Sequence, residues 1–167
     1  MTITLIGMPA VGKSSIGRAV AKRLGYRFID PDKLIEKQYG SKLQDLIDRL
    51  GAEEFKRIEE KTLLSISADN AVIAPGGSAV YYDAAMRHLG SLGPVIYLSA
   101  GLDTIKMRLG DFSRRGVVLG EGQTIDDLYE ERLPLFKKYA DYTVDCNSSA
   151  YSKFQRQVME YIEKHRA

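Results

Sequence analysis

A short segment near the amino terminus carries the residue types that bind phosphate groups. Residues 7–14 read Gly-Met-Pro-Ala-Val-Gly-Lys-Ser and match the pattern G-x-x-x-x-G-K-S/T at every fixed position. The glycines allow backbone N–H groups to turn toward phosphates, Lys13 can bridge β- and γ-phosphate oxygens, and the Ser14 hydroxyl can ligate Mg²⁺. The segment predicts nucleotide binding, but NTPases, regulators and metabolite kinases all share it.

Two aspartates that flank one proline are the second group able to do chemistry. Asp30 and Asp32 follow the apolar pair Phe28-Ile29. Opposite a phosphate-binding loop, one carboxylate can serve a metal ion and the other can accept the proton of an acceptor hydroxyl. The alternative interpretation is a helix cap, since Asp favours the N-cap and Pro favours the first turn. Both interpretations can hold at once.

The elements that must position these residues alternate along the chain. Short apolar runs predict strands at 3–6, 28–29, 71–74, 95–98 and 142–144. Between them apolar residues recur at helical spacing, and residues 150–166 predict a closing helix. This alternation indicates an α/β fold with a parallel sheet covered on both faces, whose active site lies at the carboxyl ends of the first three strands.

Size and composition are those of one globular domain, 1–167. The chain is 44% hydrophobic and 28% charged, and its formal net charge of +2 is too small to indicate a nucleic-acid or membrane partner. Cys146 is the only cysteine, which excludes an intrachain disulfide and fits a reducing compartment. No leader-like segment or apolar run of 18 residues is present. We therefore expect a cytoplasmic monomer that acts on a small molecule.

Further segments, taken in order, resemble the shikimate kinase family over essentially the whole chain. They are Phe28–Asp32, Phe55–Glu59, Pro75–Val80, the pair Arg108 and Arg115 around a glycine-rich loop, and Arg132–Ala140. The resemblance implies a three-layer P-loop kinase fold with a central five-stranded parallel sheet, and ATP and Mg²⁺ as cofactors. It also implies a mobile lid at about 109–124 and a substrate-binding region at about 31–60.

The resemblance also implies a role for each matching residue. Lys13 and Arg115 neutralise the transferring phosphoryl group, and Asp32 orients and deprotonates the acceptor hydroxyl. Ser14 and Asp30 hold Mg²⁺, and Arg108 lies against the adenine. The implied nucleotide-binding residues are Gly7, Ala10, Gly12, Lys13, Ser14, Ser15, Arg108 and Arg115. The implied substrate-binding residues are Asp32, Lys56, Gly76, Gly77, Ser78 and Lys138.

The substrate half of the pattern departs from the family. Where the family holds a substrate carboxylate with two arginines, we expect Lys56 and Lys138, and Ser78 replaces the third glycine of a Gly-Gly-Gly run. Lysine keeps the charge but loses the bidentate fork. We expect ATP-dependent phosphorylation of a small anionic metabolite, first of all shikimate to shikimate 3-phosphate. Two alternatives stay open: a sister kinase for another hydroxy acid or polyol, and a nucleotide-binding regulatory protein with little catalysis.

Overall fold

Five parallel strands form one sheet at the centre of the computed structural model, which describes residues 1–110 and 122–166. Their spatial order is β2-β3-β1-β4-β5. The strands are β1 (Ile3–Ile6), β2 (Arg27–Ile29), β3 (Ala71–Ile73), β4 (Val95–Ser99) and β5 (Tyr142–Asp145). The predicted α/β fold with a central five-stranded parallel sheet is confirmed.

Within the described residues, eight α-helices and one 3₁₀ segment connect these strands. They are α1 (Lys13–Leu24), α2 (Pro31–Tyr39), α3 (Leu43–Leu50), α4 (Ala52–Ser65), the 3₁₀ segment Gly77–Tyr81, α5 (Asp83–Leu92), α6 (Leu102–Leu109), α7 (Ile125–Tyr139) and α8 (Tyr151–Lys164). None of these helices combines the length and the apolar character needed to span a membrane. The predicted closing helix is α8.

Strand β1 lies between β3 and β4 and is buried along its whole length. Thr4 pairs with Ile73 on one side and with Val95 on the other, both in parallel register. Because the order is β2-β3-β1, the carboxyl ends of the first three strands lie side by side at one edge of the sheet. The segments that follow these strands therefore converge, as doubly wound sheets require of a ligand site.

Two apolar clusters of described residues hold the elements together. The larger contains the sheet and its covering helices, and in it Tyr97 of β4 stacks on Phe136 of α7 with ring centroids 5.0 Å apart. The smaller joins α2, α3 and α4 through Ile35, Leu46, Phe55 and Ile58. The substrate-binding region that the sequence predicts at about 31–60 therefore includes a small core of its own.

Gly93 and Gly90 provide a matched pair of substitutions for this fold. Gly93 joins α5 to β4 at φ 154°, and a Cβ added there would overlap the backbone carbonyl oxygen of Thr2. Gly90 lies inside α5, where an added Cβ would meet nothing within 4 Å. The two positions differ in sterics, although both substitutions add one methyl group.

We predict that Gly93→Ala lowers the free energy of unfolding by about 1–3 kcal/mol or more, because the clashing atom is backbone and cannot rotate away. Gly90→Ala should raise it by about 0.5–1 kcal/mol, because alanine is the better helix former. Urea unfolding followed by circular dichroism measures both changes. A Gly93→Ala protein as stable as wild type would contradict the steric argument.

Candidate active site

The phosphate-binding loop joins β1 to α1, and its backbone explains its glycines. Gly7 has φ 155°, and a Cβ added there would lie 2.6 Å from the carbonyl oxygen of Leu98. Gly12 has φ 109°, and Ala10 between them also has a positive φ of 66°. A side chain at Gly7 would therefore be excluded both by its φ and by the neighbouring strand.

Lys13 begins α1 and turns back over the loop. Its Nζ donates hydrogen bonds to the carbonyl oxygens of Gly7 at 2.7 Å and Met8 at 2.8 Å. Burial lowers the pKa of Lys13 to about 7, and the charge of Arg132 adds to the lowering, while Asp32 and Asp30 oppose it. Bound phosphate would supply the negative charge that favours the ammonium form.

Asp30 caps the helix that follows β2. Its Oδ1 accepts hydrogen bonds from the backbone N–H groups of Asp32 at 3.0 Å and Lys33 at 3.4 Å, and Pro31 is the first residue of α2. The helix-cap interpretation is therefore confirmed for Asp30. The cap occupies Oδ1, and the same carboxylate also lines the cavity described below.

Asp32 lies in the first turn of α2 and has an unusual environment. Burial raises the pKa of its carboxyl group to about 7, and the negative charges of Glu59 and Asp30 raise it further, while Lys13 opposes them. A general base works best when its pKa is close to the operating pH. Asp32 thus has the proton affinity expected of a base that acts near neutrality.

A cavity of about 640 Å³ brings most of the predicted residues together. A volume of this size suits a small metabolite. The predicted residues that line it are Ala10, Lys13, Ser14, Asp30, Asp32, Lys56, Gly76, Gly77 and Ser78. Gly7, Gly12, Ser15 and Arg108 lie outside this lining, on the phosphate loop, in α1 and in α6.

Arg132 also lines this cavity and was missed as a site residue in the sequence. It lies on α7 with 4% of its surface exposed, and its Nε donates to the Tyr81 hydroxyl at 3.2 Å. Its guanidinium carbon lies 5.3 Å from the centroid of the Tyr81 ring. A Cβ added at Gly77 would lie 2.7 Å from Arg132 Nη1, so glycine at this position makes room for the guanidinium.

The charge of Arg132 has no close carboxylate partner among the residues that the structure describes. Within 1–110 and 122–166 no acidic side chain lies within ion-pair distance of its guanidinium. A buried charge without a counter-ion is costly, and such groups in a cleft often face an ionic ligand. The arrangement indicates an anion-binding position in the cavity.

The two lysines predicted to hold a substrate carboxylate lie in different places. Lys56 lines the cavity, with its Nζ 3.2 Å from Glu53 Oε1. Lys138 is largely exposed, and its Nζ lies 3.7 Å from Asp83 Oδ1, outside the cavity. Lys138 follows Arg132 by six residues on the same helix, so the two side chains leave the helix roughly 240° apart. The structure therefore brings Lys56 and Arg132 to the cavity, but not Lys138.

Arg108 occupies the other side of the phosphate loop. Its Nη2 donates to the carbonyl oxygens of Cys146 at 2.7 Å and Ser148 at 2.6 Å, and its guanidinium lies 5.6 Å from the Tyr151 ring centroid. The Tyr151 ring packs on the loop, because a Cβ added at Gly12 would lie 2.8 Å from its Cε1. Two flat groups thus adjoin the loop. The contact of Arg108 with adenine, for which a guanidinium is suited, stays a prediction. Tyr151 was not predicted from the sequence.

Arg115 and most of the predicted lid at about 109–124 lie outside the described residues. On either side of them, α6 ends at the buried Leu109, and Thr124 caps α7. The Thr124 hydroxyl accepts from the Asp127 backbone N–H at 3.2 Å, and the Asp127 carboxylate accepts from the Thr124 N–H at 2.9 Å. The role expected of Arg115 stays a prediction.

A family model and curated relatives both identify the shikimate kinase family. A family model described as shikimate kinase matches residues 9–163. A shikimate kinase from Thermodesulfovibrio yellowstonii is 32% identical over 165 residues, which cover 97% of this chain and 95% of the relative. A shikimate kinase from Paracidovorax citrulli is 35% identical over 150 residues, which cover 86% of this chain and 81% of the relative. The solved structure of a shikimate kinase from Acinetobacter baumannii, in complex with shikimate, superposes on this chain with a TM-score of 0.90 at 28% sequence identity. The superposition covers 98% of this chain and 93% of that structure.

The lowered pKa of Lys13 predicts that nucleotide affinity depends on pH. Phosphates raise the pKa of Lys13 above its free value of about 7, so the bound state takes up a proton. ADP affinity should therefore fall between pH 7.5 and 9, by up to about tenfold per pH unit. Isothermal titration calorimetry measures the ADP affinity at each pH. Lys13→Met serves as a control that binds ADP weakly and whose affinity should not change with pH. Constant wild-type affinity over this range would refute the assignment.

Proposed function

Because the chain belongs to the shikimate kinase family, we propose that it transfers the γ-phosphoryl group of ATP to a hydroxyl of shikimate, giving shikimate 3-phosphate and ADP. The observation that carries the proposal is a single cavity lined by Lys13, Asp32 and Arg132. These residues supply a phosphate contact, a base for the acceptor hydroxyl, and a buried cation for the carboxylate of the acceptor.

On the nucleotide side, Lys13 would exchange the carbonyl oxygens of Gly7 and Met8 for oxygens of the β- and γ-phosphates. Neutralising charge on those oxygens lowers the barrier, because the transition state spreads negative charge over the transferring group. Arg115 is expected to contribute a second cation to this group, as the family resemblance implies.

Ser14 and Asp30 fit a magnesium ion by the chemistry of their oxygens. Both line the cavity, and Mg²⁺ prefers one or two protein oxygens together with phosphates and water. Since Asp30 Oδ1 already accepts two backbone N–H groups, Oδ2 or a bridging water would serve the ion. Bound Mg²⁺ would neutralise phosphate charge.

Asp32 would take the proton of the acceptor hydroxyl. The hydroxyl oxygen then forms a bond to the γ-phosphorus, while the bond from that phosphorus to the β,γ-bridging oxygen breaks and ADP leaves. With a pKa of about 7, the carboxylate is ionised in much of the protein at neutral pH and still has appreciable proton affinity. Asp32 lies in the first turn of α2 and lines the same cavity as Lys13 and Ser14, which supports this role.

Arg132 and Lys56 would hold the acceptor carboxylate. A guanidinium can fork onto both carboxylate oxygens, whereas an ammonium gives a single-point contact. Arg132 is fixed by Tyr81 and by the space at Gly77, while Lys56 rests on Glu53 at the surface. We therefore propose Arg132 for the second cationic position, in place of Lys138.

The sister-kinase alternative rests on Lys56 and Ser78, and a panel of hydroxy acids and polyols in an ADP-release assay tests it.

Exchange of Arg132 and exchange of Lys138 should have very different effects. Arg132→Met should raise KM for shikimate by about tenfold or more, since a hydrogen bond to a charged group contributes ~1.5–3 kcal/mol. Lys138→Met removes an exposed charge and should leave KM within about twofold. Steady-state kinetics on shikimate compare them, with thermal melting as the folding control. The opposite ranking would favour Lys138 as the carboxylate holder.

The role of Asp32 predicts a pH profile. Because the ionised carboxylate is the active form, kcat/KM should fall as pH drops below about 7, approaching tenfold per pH unit. Asp32→Asn should lower kcat by about 10²–10⁴ while ADP affinity is retained, because the amide cannot accept the proton. If Asp32→Asn keeps the wild-type kcat, Asp32 is not the base.

A further inference from the structure

A second cavity, of about 370 Å³, borders strand β2 at the edge of the sheet. Its lining comes from α1, from β2 and from the first half of α2, and we call it the β2 groove. Among the described residues that line it, Asp30 alone also lines the active-site cavity. The β2 groove is therefore a neighbour of the active site with side chains of its own.

Four cationic side chains line the β2 groove. They are Arg18 from α1, Arg27 from β2, and Lys33 and Lys37 from α2, and all four are exposed. Lys33 forms an ion pair with Glu36 at 2.9 Å. For the other three, no carboxylate within residues 1–110 and 122–166 lies at ion-pair distance. Cations gathered around one cavity repel each other, so an anion placed there would be attracted by all of them.

The β2 groove also offers apolar surface, from Phe28, Ile29 and Leu34. The Phe28 ring is held in place, because the Arg18 guanidinium carbon lies 4.5 Å from its centroid and a Cβ added at Gly17 would lie 2.7 Å from its Cε2. Leu34 is 43% exposed. A ligand that covers Leu34 and the accessible part of Phe28 would gain from burying apolar area.

The backbone of β2 adds a hydrogen-bond donor. Strand β2 is first in the strand order and pairs with β3 on one side. The Arg27 N–H donates to the carbonyl oxygen of Asn70, and the Ile29 carbonyl oxygen accepts from the Ala74 N–H, both at 3.0 Å. Because successive peptide groups of a strand point to opposite sides, the N–H of Phe28 points away from β3, to the outer edge. Phe28 lines the groove, so this N–H is available to an anion there.

We propose that the β2 groove is a second ligand site, which binds a small phosphate monoester carried on an apolar body. Its four cations stand against two carboxylates, Asp30 and Glu36, and this excess of two positive charges matches a phosphate dianion. Arginines suit phosphate because the guanidinium can fork onto two oxygens. The volume lies near the lower end of the usual range for small-molecule sites, ~300–1,000 Å³. None of the four cations lines the active-site cavity, so this site is independent of the proposed function.

Phenyl phosphate is a probe with this chemistry, and Mg²⁺ with excess ADP keeps it off the phosphate loop. Nitrogen-15 NMR titration should then show saturable shifts at the backbone amides of Arg27, Phe28 and Lys33, with a Kd of about 1 mM or below. Phenol lacks the charge and inorganic phosphate lacks the ring, so each should bind about tenfold more weakly or less. Shifts that do not saturate, or that are confined to the active-site cavity, would overturn the proposal.

Two double variants that remove the same charge give a matched comparison. Arg18→Ala with Arg27→Ala should weaken binding of phenyl phosphate by about tenfold or more, because both guanidiniums face the groove. Lys22→Ala with Arg23→Ala removes two exposed cations of α1 outside the groove and should leave Kd within about twofold. Leu34→Ser should weaken phenyl phosphate but not inorganic phosphate. Equal weakening in the two double variants would show that net charge alone attracts the probe, and the proposal would fail.

Lys37→Gln gives a further test that leaves β2 and its packing intact. It removes one exposed cation of the groove and should weaken phenyl phosphate about twofold or more, with thermal melting as the folding control for every variant. Raising the salt concentration from about 0.05 to about 0.3 M should weaken wild-type binding several-fold, because exposed charges are screened. An affinity for phenyl phosphate that does not change with salt would contradict recognition by these cations.

Discussion

The pairing of β1 between β3 and β4 is the constraint on which the rest of the site depends. Parallel register at Thr4 brings the ends of β1, β2 and β3 to one edge of the sheet. The phosphate loop, the cap of α2 and the 3₁₀ segment start from these ends. Because β1 and β3 are buried along their whole length, a slip in their register would displace apolar side chains from the core, so the relative positions of these segments are strongly fixed.

The charged side chains of the site lie where they are largely shielded from water. Lys13 and Asp32 have opposite charges, yet burial lowers the pKa of one and raises that of the other until both are near 7. Such groups cost stability in the free protein, and ligands recover that cost when they bring the missing opposite charge. Arg132 follows the same principle on the acceptor side. Lys13 and Arg132 thus both present cationic groups to the cavity, which suits anionic ligands.

Close packing gives these charges their positions. Helix α7 packs on the sheet through the stack of Phe136 on Tyr97, and Arg132, four residues before Phe136, lines the cavity. Gly77 leaves the space that the guanidinium occupies, and Tyr81 accepts its Nε–H. Any side chain at Gly77 would have to displace the arginine. The recognition of an anionic acceptor therefore depends on a glycine as much as on a cation.

The sequence by itself determined the phosphate loop, the strands and the Asp30–Asp32 pair, because each is a local pattern read within a few residues. It predicted Lys138 as a carboxylate holder and missed Arg132, which precedes it by six residues on the same helix. Which face of α7 meets the cavity is decided by packing on β4, and no local pattern contains that information. Glu59 bonds to Ser78 and Tyr82 across 19 and 23 residues, so only the tertiary structure could bring these hydroxyls to one carboxylate oxygen beside Asp32.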